Sequence, residues 1–183
     1  MSEDLIVRNC SPTLAGMKAG SLFSCGYGTI RELQEYMRKI NRVLTRKGIR
    51  ALLVRYHKGR ALIYVFRPRD LRKVLEDPHA VRILKNLGYR DLRLEPCVCQ
   101  LMGRIQDQED FPHEIGLFLG YPPEDVEAFM ENEGRNAKEV GCWKVYGDVE
   151  AAEKTFRKYR TCTDIYCAQW KNGKSMERLT IAG

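Results

Sequence analysis

The chain lacks any apolar run approaching the roughly 18 residues that a membrane-spanning helix needs. Its first residues, MSEDLIVRNC, have neither the basic n-region nor the apolar h-region of a signal peptide. The spacings of two nucleotide-binding loops, G-x-x-x-x-G-K-[ST] and G-x-G-x-x-G, are also missing. These absences argue against membrane-spanning, secreted and common dinucleotide- or P-loop-binding proteins. We therefore expect a cytoplasmic protein with no membrane association.

Paired cysteine motifs are missing as well. The seven cysteines are an odd number spread over the whole chain, whereas a secreted disulfide framework is even and crowded. There is no C-x-x-C knuckle and no histidine pair to complete a zinc site. The preferred interpretation is reduced thiols that pack as small apolar groups, and bound zinc or an iron–sulfur cluster is the alternative. The sequence names no metal or cofactor. The cysteines are Cys10, Cys25, Cys97, Cys99, Cys142, Cys162 and Cys167.

Charge is present in quantity but is unevenly distributed. The 183 residues are 44% hydrophobic and 30% charged, as in a folded globular protein, and carry a net charge of +7. Residues 1–105 contribute +12 and residues 106–183 contribute −5. The basic run from Arg55 to Lys73 suggests a module that binds nucleic acid or a partner protein. The alternative is a solvated face that pairs with the acidic half, and no RNP, zinc-finger or KH motif supports nucleic-acid binding.

Periodicity predicts a single α+β domain over residues 1–183. Apolar runs at 51–56 and 61–66 flank a turn with Gly59 and predict a β-hairpin. This hairpin and a strand at 142–146 should form a small, mainly antiparallel sheet covered by helices. Residues 1–26 show little periodicity and are expected to form an N-terminal loop packed on the domain. Helices are predicted over 29–47, from Pro68, from Pro78, over 94–105, from Pro122 or Pro123, from Asp148 to Gly173, and in a final turn capped by Ser175.

The segment from Asp110 to Gly134 is the most densely punctuated part of the chain. Asp110 should cap a helix that places His113 and Glu114 in its first turn and ends at Leu119, before Gly120. The positive end of the helix dipole would disfavour protonated His113 and leave an imidazole able to accept a proton or bind a metal. His113 and Glu114 are therefore the candidate catalytic residues. In the alternative interpretation, His113 fixes a helical hairpin jointed at Tyr121, and Glu114 helps to cap the helix.

A second segment, residues 10–25, is rich in glycine and hydroxyl side chains. Such loops can present backbone N–H groups to an anion, and Lys18 would add a positive charge. Cys10 would be a nucleophile if a base such as His113 came within reach. The sequence alone does not establish that proximity.

Three motifs together resemble a known family. These are CSPTLAGMKAGSLF at 10–23, FPHEIGLFLGYPPEDV at 111–126 and WKVYGD at 143–148. They resemble domain of unknown function 3793, a family from anaerobic Firmicutes, largely clostridia, and the resemblance extends from Cys10 to the last helix. It implies a single-domain cytosolic protein of an anaerobic bacterium. It implies no reaction, cofactor or catalytic residue.

The same two segments suggest one pocket. We predict that residues 10–25 fold against the 110–122 hairpin, so that Lys18, His113, Glu114 and Tyr121 line the pocket with Cys10 nearby. His113 would act as acceptor or base, Glu114 as its partner or a ligand, and Lys18 would receive an anionic group. The favoured function is thus binding or conversion of a small molecule or metal. The alternative is the partner-protein or nucleic-acid module at 55–73. The oligomeric state is not predicted.

Overall fold

The computed structural model describes residues 2–107 and 111–183, so the predicted helix cap at Asp110 lies outside the described residues. The elements follow in chain order. They are α1 (Asp4–Leu14), β1 (Gly20–Gly26), α2 (Ile30–Leu44), β2 (Arg50–His57), β3 (Arg60–Phe66), α3 (Pro68–Glu76), α4 (Pro78–Asn86), α5 (Leu94–Asp107), α6 (Ile115–Phe118), α7 (Pro123–Glu131), β4 (Glu139–Val140), β5 (Lys144–Val145), α8 (Val149–Lys171) and α9 (Met176–Leu179).

The α+β class predicted from the sequence is confirmed. The chain divides into two compact units: residues 1–70 with 159–183, and residues 71–158. The prediction of a single domain over residues 1–183 stays a prediction. Within the described residues, no helix is both long enough and apolar enough to cross a bilayer.

The first unit is built on a three-stranded antiparallel sheet in the order β1-β3-β2. β2 and β3 form the predicted hairpin, and Lys58 and Gly59 at its turn have positive φ angles of 45° and 75°. Ile63 and Tyr64 point to opposite faces of β3, and both are buried. Helices α1 and α2 contact this sheet, and apolar side chains from both helices and from α9 complete the core.

The prediction of an N-terminal loop over residues 1–26 is wrong, because this segment forms α1 and β1. Ile6, Cys10 and Leu14 recur every four residues and are fully buried, which is the pattern of one helix face. Pro12 within α1 and the glycine and serine content of β1 hid these elements. In β1, Phe23 and Cys25 alternate with more exposed residues and face the core.

Several helices begin at a capping side chain or end before a glycine. Thr29 accepts a hydrogen bond from the backbone of Glu32, and the Glu32 carboxylate accepts one from the backbone of Thr29, which completes a capping box at the start of α2. Gly48 and Gly173 follow their helices with positive φ angles, as predicted. Ser175 caps α9 through the backbone of Arg178.

The second unit contains α4 to α7 and a separate two-stranded sheet, β4-β5. The strand predicted at 142–146 is therefore shorter than expected and pairs with Glu139–Val140 rather than with the hairpin of the first unit. β1 takes the third position in the larger sheet. Helix α7 contacts α4, α6 and β5, so it is the element around which this unit's candidate site is organised.

Candidate functional site

A surface groove of about 330 Å³ lies in the second unit, between the α6–α7 hairpin and the β4–β5 hairpin. Ligand pockets typically span roughly 300–1,000 Å³, so this groove would suit a small molecule. We call it the aromatic groove because five of its side chains carry aromatic rings. It is lined by Phe111, His113, Ile115, Gly116, Tyr121, Asp125, Val126, Phe129, Val140, Gly141, Trp143 and Lys144.

Close packing of α6 on α7 forms one wall of the groove. A Cβ atom at Gly116 would lie 2.7 Å from Val126 Cγ2 and 3.3 Å from the Tyr121 ring, so only glycine permits this approach. Gly120 reverses the chain with a φ angle of 76°, and the backbone N–H of Tyr121 donates to the carbonyl oxygen of Gly116. The L-G-Y-P-P sequence thus turns the chain and sets the Tyr121 ring in the groove.

Asp125 joins the two walls of the groove. Its side chain is 4% exposed, and Oδ1 accepts backbone N–H bonds from Tyr146 and Gly147, both at 2.8 Å. Oδ2 accepts the indole Nε1–H of Trp143 at 2.7 Å. This carboxylate ties α7 to β5 and fixes the indole ring. Nothing in the local sequence pattern around Asp125 indicates hydrogen-bond partners about 20 residues away along the chain.

The aromatic rings form a continuous series along the groove. Tyr121 stacks on Trp143 with ring centroids 5.0 Å apart and an interplanar angle of 29°. The other neighbour of Trp143 is Phe156 in α8, at 4.5 Å and 78°. A Cβ atom at Gly141 would lie 2.2 Å from the Phe156 ring, so the β4–β5 turn packs closely against α8. These contacts hold the rings of Tyr121 and Trp143 in a fixed stack.

His113 and Lys144 both lie against Phe129. The imidazole is exposed and meets the Phe129 ring edge-on, with centroids 5.0 Å apart. Lys144 Nζ lies 5.6 Å from the centroid of the same ring and donates to the carbonyl oxygen of Gly134 at 2.6 Å. A Cβ atom at Gly134 would lie 3.0 Å from Phe129. The groove therefore carries its polar donors at the Phe129 end.

The helix predicted around His113 is shorter than expected. α6 begins only at Ile115, and His113 lies in the turn before it. A four-residue helix has few aligned peptide dipoles, so the argument that a helix dipole acts on His113 loses its basis. Glu114 occupies the N-cap position but makes no side-chain capping bond, and the capping role considered for it is wrong.

Glu114 and His113 have different surroundings. Glu114 is 1% exposed and does not line the groove. It accepts a hydrogen bond from Tyr89 Oη at 3.1 Å, and Arg104 Nε lies 2.7 Å from its Oε1. The Arg104 N–H is not directed at that oxygen, so this contact is an ion pair rather than a hydrogen bond. Burial and the neighbouring Glu114 raise the pKa of Tyr89, which therefore stays a donor.

Cys10 and Lys18 belong to the first unit, whereas His113 and Tyr121 line the groove of the second. Burial raises the pKa of the Cys10 thiol to about 12, against a smaller opposite effect of Lys18. Lys18 Nζ lies 5.9 Å from the centroid of the Tyr159 ring. A thiol with so high a pKa is almost wholly protonated near neutral pH, which disfavours a nucleophilic role for Cys10.

The cysteines as a set make no disulfide. Cys10, Cys25, Cys97 and Cys162 are buried, and burial raises the pKa of each of their thiols. Cys99 and Cys142 are the exposed pair. Among residues 2–107 and 111–183, no cluster of three or more His, Cys, Asp or Glu side chains has the arrangement of a metal site.

The basic segment at 55–73 loses one of its charges to the interior. Arg67 is 3% exposed, and its guanidinium donates to the carbonyl oxygens of Thr13, Leu14 and Ile181 at 2.5–2.7 Å. Arg67 therefore joins α1 to the irregular segment that follows α9. Arg55, Lys58, Arg60 and Arg69 are exposed. Binding of nucleic acid or a partner protein by this segment stays a prediction, and Arg67 is no longer among the side chains that could take part.

Comparison with known proteins gives one match. No curated protein and no solved structure matches the chain. The family described as "Protein of unknown function (DUF3793)" matches residues 6–180, which include the whole second unit, most of the first unit and the whole aromatic groove. The chain therefore belongs to the DUF3793 family of proteins of unknown function.

Proposed function

We propose that the aromatic groove binds one small, planar, largely apolar molecule. The observation that carries the proposal is the stack of the Tyr121 and Trp143 rings in the lining of a concave site of about 330 Å³. Stacked aromatic pairs contribute about 0.5–1.5 kcal/mol beyond the burial of their area, and a planar ligand would extend this stack.

Exposed apolar side chains at the groove support the same function. Phe111 is 37% exposed and Val140 is 64% exposed, so a ligand would remove apolar surface from water at both positions. Covering on the order of 200 Å² of apolar surface contributes about 5 kcal/mol, before the cost of immobilising the ligand is subtracted. Stacking adds about 0.5–1.5 kcal/mol, so after the cost of immobilisation we expect dissociation constants larger than about 10 μM.

The geometry supports binding better than acid–base catalysis. A catalytic pair requires a base and its orienting partner within hydrogen-bond reach. Glu114 instead contacts Tyr89 and Arg104, and no hydrogen bond within the described residues links it to His113. Asp125, the carboxylate in the groove lining, accepts three N–H donors that hold the fold together. His113 is left as a polar contact for a ligand.

Tryptophan fluorescence offers a direct test, because the chain has only two tryptophans and one of them lies in the groove. In a Trp170→Phe background, all tryptophan emission comes from Trp143. Titration with the neutral probe N-phenyl-1-naphthylamine should quench this emission saturably, with one probe bound per chain. In the matched Trp143→Phe protein, the emission of Trp170 should change little.

A pair of surface variants tests the location. Val140→Glu places a charge on the groove wall at an exposed position, and Ile165→Glu makes the same change at a 48% exposed position on α8. We expect probe affinity to fall at least tenfold in the first and to stay within twofold in the second. Equal affinities in both variants, with unchanged circular dichroism, would refute the proposal.

A further inference from the structure

We propose that the ligand of the aromatic groove carries an anionic group, a carboxylate or sulfonate on a planar apolar body, and that Lys144 receives this group. The inference rests on the proposed function and adds the charge of the ligand to it. It follows from what each charged side chain of the groove already contacts.

Asp125 is not available to attract a cationic ligand. Both of its oxygens accept N–H donors from the chain, and its side chain is 4% exposed. Three N–H donors converge on this carboxylate, so most of its acceptor sites are already occupied. An organic cation in the groove would thus find no carboxylate oxygen to contact within the described lining.

Lys144 retains hydrogen-bonding capacity directed at a ligand. An ammonium has three donors, and one of them contacts the carbonyl oxygen of Gly134 at 2.6 Å. Among the side chains described, those of residues 2–106 and 111–183, no carboxylate lies within 4.0 Å of this ammonium. The side chain is half-buried, and burial strengthens its attraction for an anion. Lys144 is therefore a charged side chain of the groove lining that keeps hydrogen-bond donors for a ligand, whereas the oxygens of Asp125 are already engaged.

Phe129 determines where that anion would lie. Lys144 Nζ sits 5.6 Å from its ring centroid and the His113 ring sits 5.0 Å from it, so two N–H-bearing side chains flank one ring. The stacked pair Tyr121 and Trp143 supplies the aromatic stack that a planar ligand would extend. A ligand with its rings on this pair and its anionic group towards Phe129 would satisfy both parts of the groove. A cationic group of a ligand at this position would instead be repelled by the ammonium of Lys144, which already lies near the Phe129 ring.

The segment around the groove is rich in acidic residues, but most of their carboxylates pair with other side chains or lie outside the groove lining. Glu114 pairs with Arg104, and Glu127 with Arg82. Other carboxylates of α7 are exposed and do not line the groove. Exposed charges are screened over roughly 8–10 Å at physiological salt. The contacts made by Lys144 within the groove should then outweigh the more distant acids.

Two probes that share an apolar body test the inference. 1-Anilinonaphthalene-8-sulfonate carries a sulfonate, and N-phenyl-1-naphthylamine is its neutral counterpart. We expect the sulfonate probe to bind the native protein about tenfold more tightly at 0.15 M salt, as for one charge-assisted contact. Lys144→Met should remove this preference, measured as the ratio of the two probes' dissociation constants in the same variant. Lys144→Arg should retain the preference.

Lys138→Met is the matched control, because Lys138 is an exposed neighbour outside the groove lining. It should leave the preference unchanged. A different result would be that the two probes bind the native protein with equal affinity while Val140→Glu still weakens binding of the neutral probe. That result would overturn the anionic inference and preserve the proposed function. Loss of both probes in Lys144→Met without rescue by arginine would assign Lys144 a structural role and also overturn it. Binding insensitive to Val140→Glu would overturn both.

Discussion

Replacing Asp125 by asparagine should destabilise the second unit although the side chain keeps its size and shape. Oδ1 could still accept the two backbone N–H groups of Tyr146 and Gly147, but the amide nitrogen would then face the indole N–H of Trp143. The asparagine NH₂ group and the indole N–H are both donors, so the hydrogen bond that Asp125 Oδ2 accepted is lost. Rotating the amide by 180° is worse, because its NH₂ would face two backbone donors.

The magnitude follows from the three bonds. A hydrogen bond to a charged group contributes about 1.5–3 kcal/mol and a neutral one about 1 kcal/mol, so the two backbone bonds weaken by about 1–3 kcal/mol together. Loss of the indole bond adds about 1–3 kcal/mol where the donor is buried. Because Trp143 is only half-buried, water can reach part of this site. We therefore expect Asp125→Asn to lower the free energy of unfolding by about 2–4 kcal/mol.

Urea denaturation followed by circular dichroism measures this change, and Trp143 emission in a Trp170→Phe background reports the second unit separately. Asp148→Asn is the matched control, since Asp148 caps α8 through the backbone of Ala151 and asparagine caps helices equally well. It should change stability by less than about 0.5 kcal/mol. An Asp125→Asn protein as stable as the Asp148→Asn protein would refute the reasoning.

A double-mutant cycle isolates the indole bond. Phenylalanine at position 143 keeps an aromatic ring but has no donor, so Asp125→Asn should cost about 1–2 kcal/mol less in that background. The expected coupling has a definite sign, because the clash of donors exists only when the indole is present. A coupling near zero would show that Asp125 acts through the backbone of Tyr146 and Gly147 alone.

The remaining predictions concern other parts of the chain. Arg67→Met should lower stability by about 3 kcal/mol or more in urea denaturation, because three carbonyl oxygens lose a hydrogen bond from a charged guanidinium, while the exposed Arg69→Met should be nearly neutral. The hydrogen bond from His79 and the charge of Arg82 lower the pKa of Glu127, so its contribution is present above the unfolded-state pKa and is lost as pH falls through the folded-state value. Melting temperature should therefore fall less steeply below pH 4.5 in Glu127→Gln. In native protein, Ellman's reagent should modify the exposed pair of cysteines quickly and the four buried ones only on unfolding.

Local signals in the sequence predicted most elements, because capping and turn chemistry act within a few residues. The capping box at Thr29, the proline that opens α4 and the glycine after α8 each satisfy or terminate a helix through neighbouring backbone groups. α1 was missed although Ile6, Cys10 and Leu14 carry a helical period. The reason is that Pro12 and the surrounding hydroxyl residues suggested a loop.

The candidate site was less predictable, because it depends on contacts between segments distant in sequence. Adjacency of His113 and Glu114 suggested a functional pair, yet neighbouring residues in a helical turn project about 100° apart. One of them consequently lies in the groove and the other in the interior with Tyr89 and Arg104. Sequence adjacency in such a turn therefore argues against a shared partner.

Asp125 at the start of α7 shows how a sufficient local explanation leaves a longer-range role undetected. An aspartate in a first helical turn is adequately explained by the helix dipole, and that explanation uses no residue outside the helix. In the structure, the same carboxylate accepts bonds from three residues of the 143–147 segment and so positions the indole on which the proposed ligand would stack. Asp125 is thus a positioning residue, and its substitution should weaken binding of the neutral probe in proportion to the loss of Trp143 order. A stable Asp125→Asn protein that bound the probe with native affinity would separate the groove from this carboxylate.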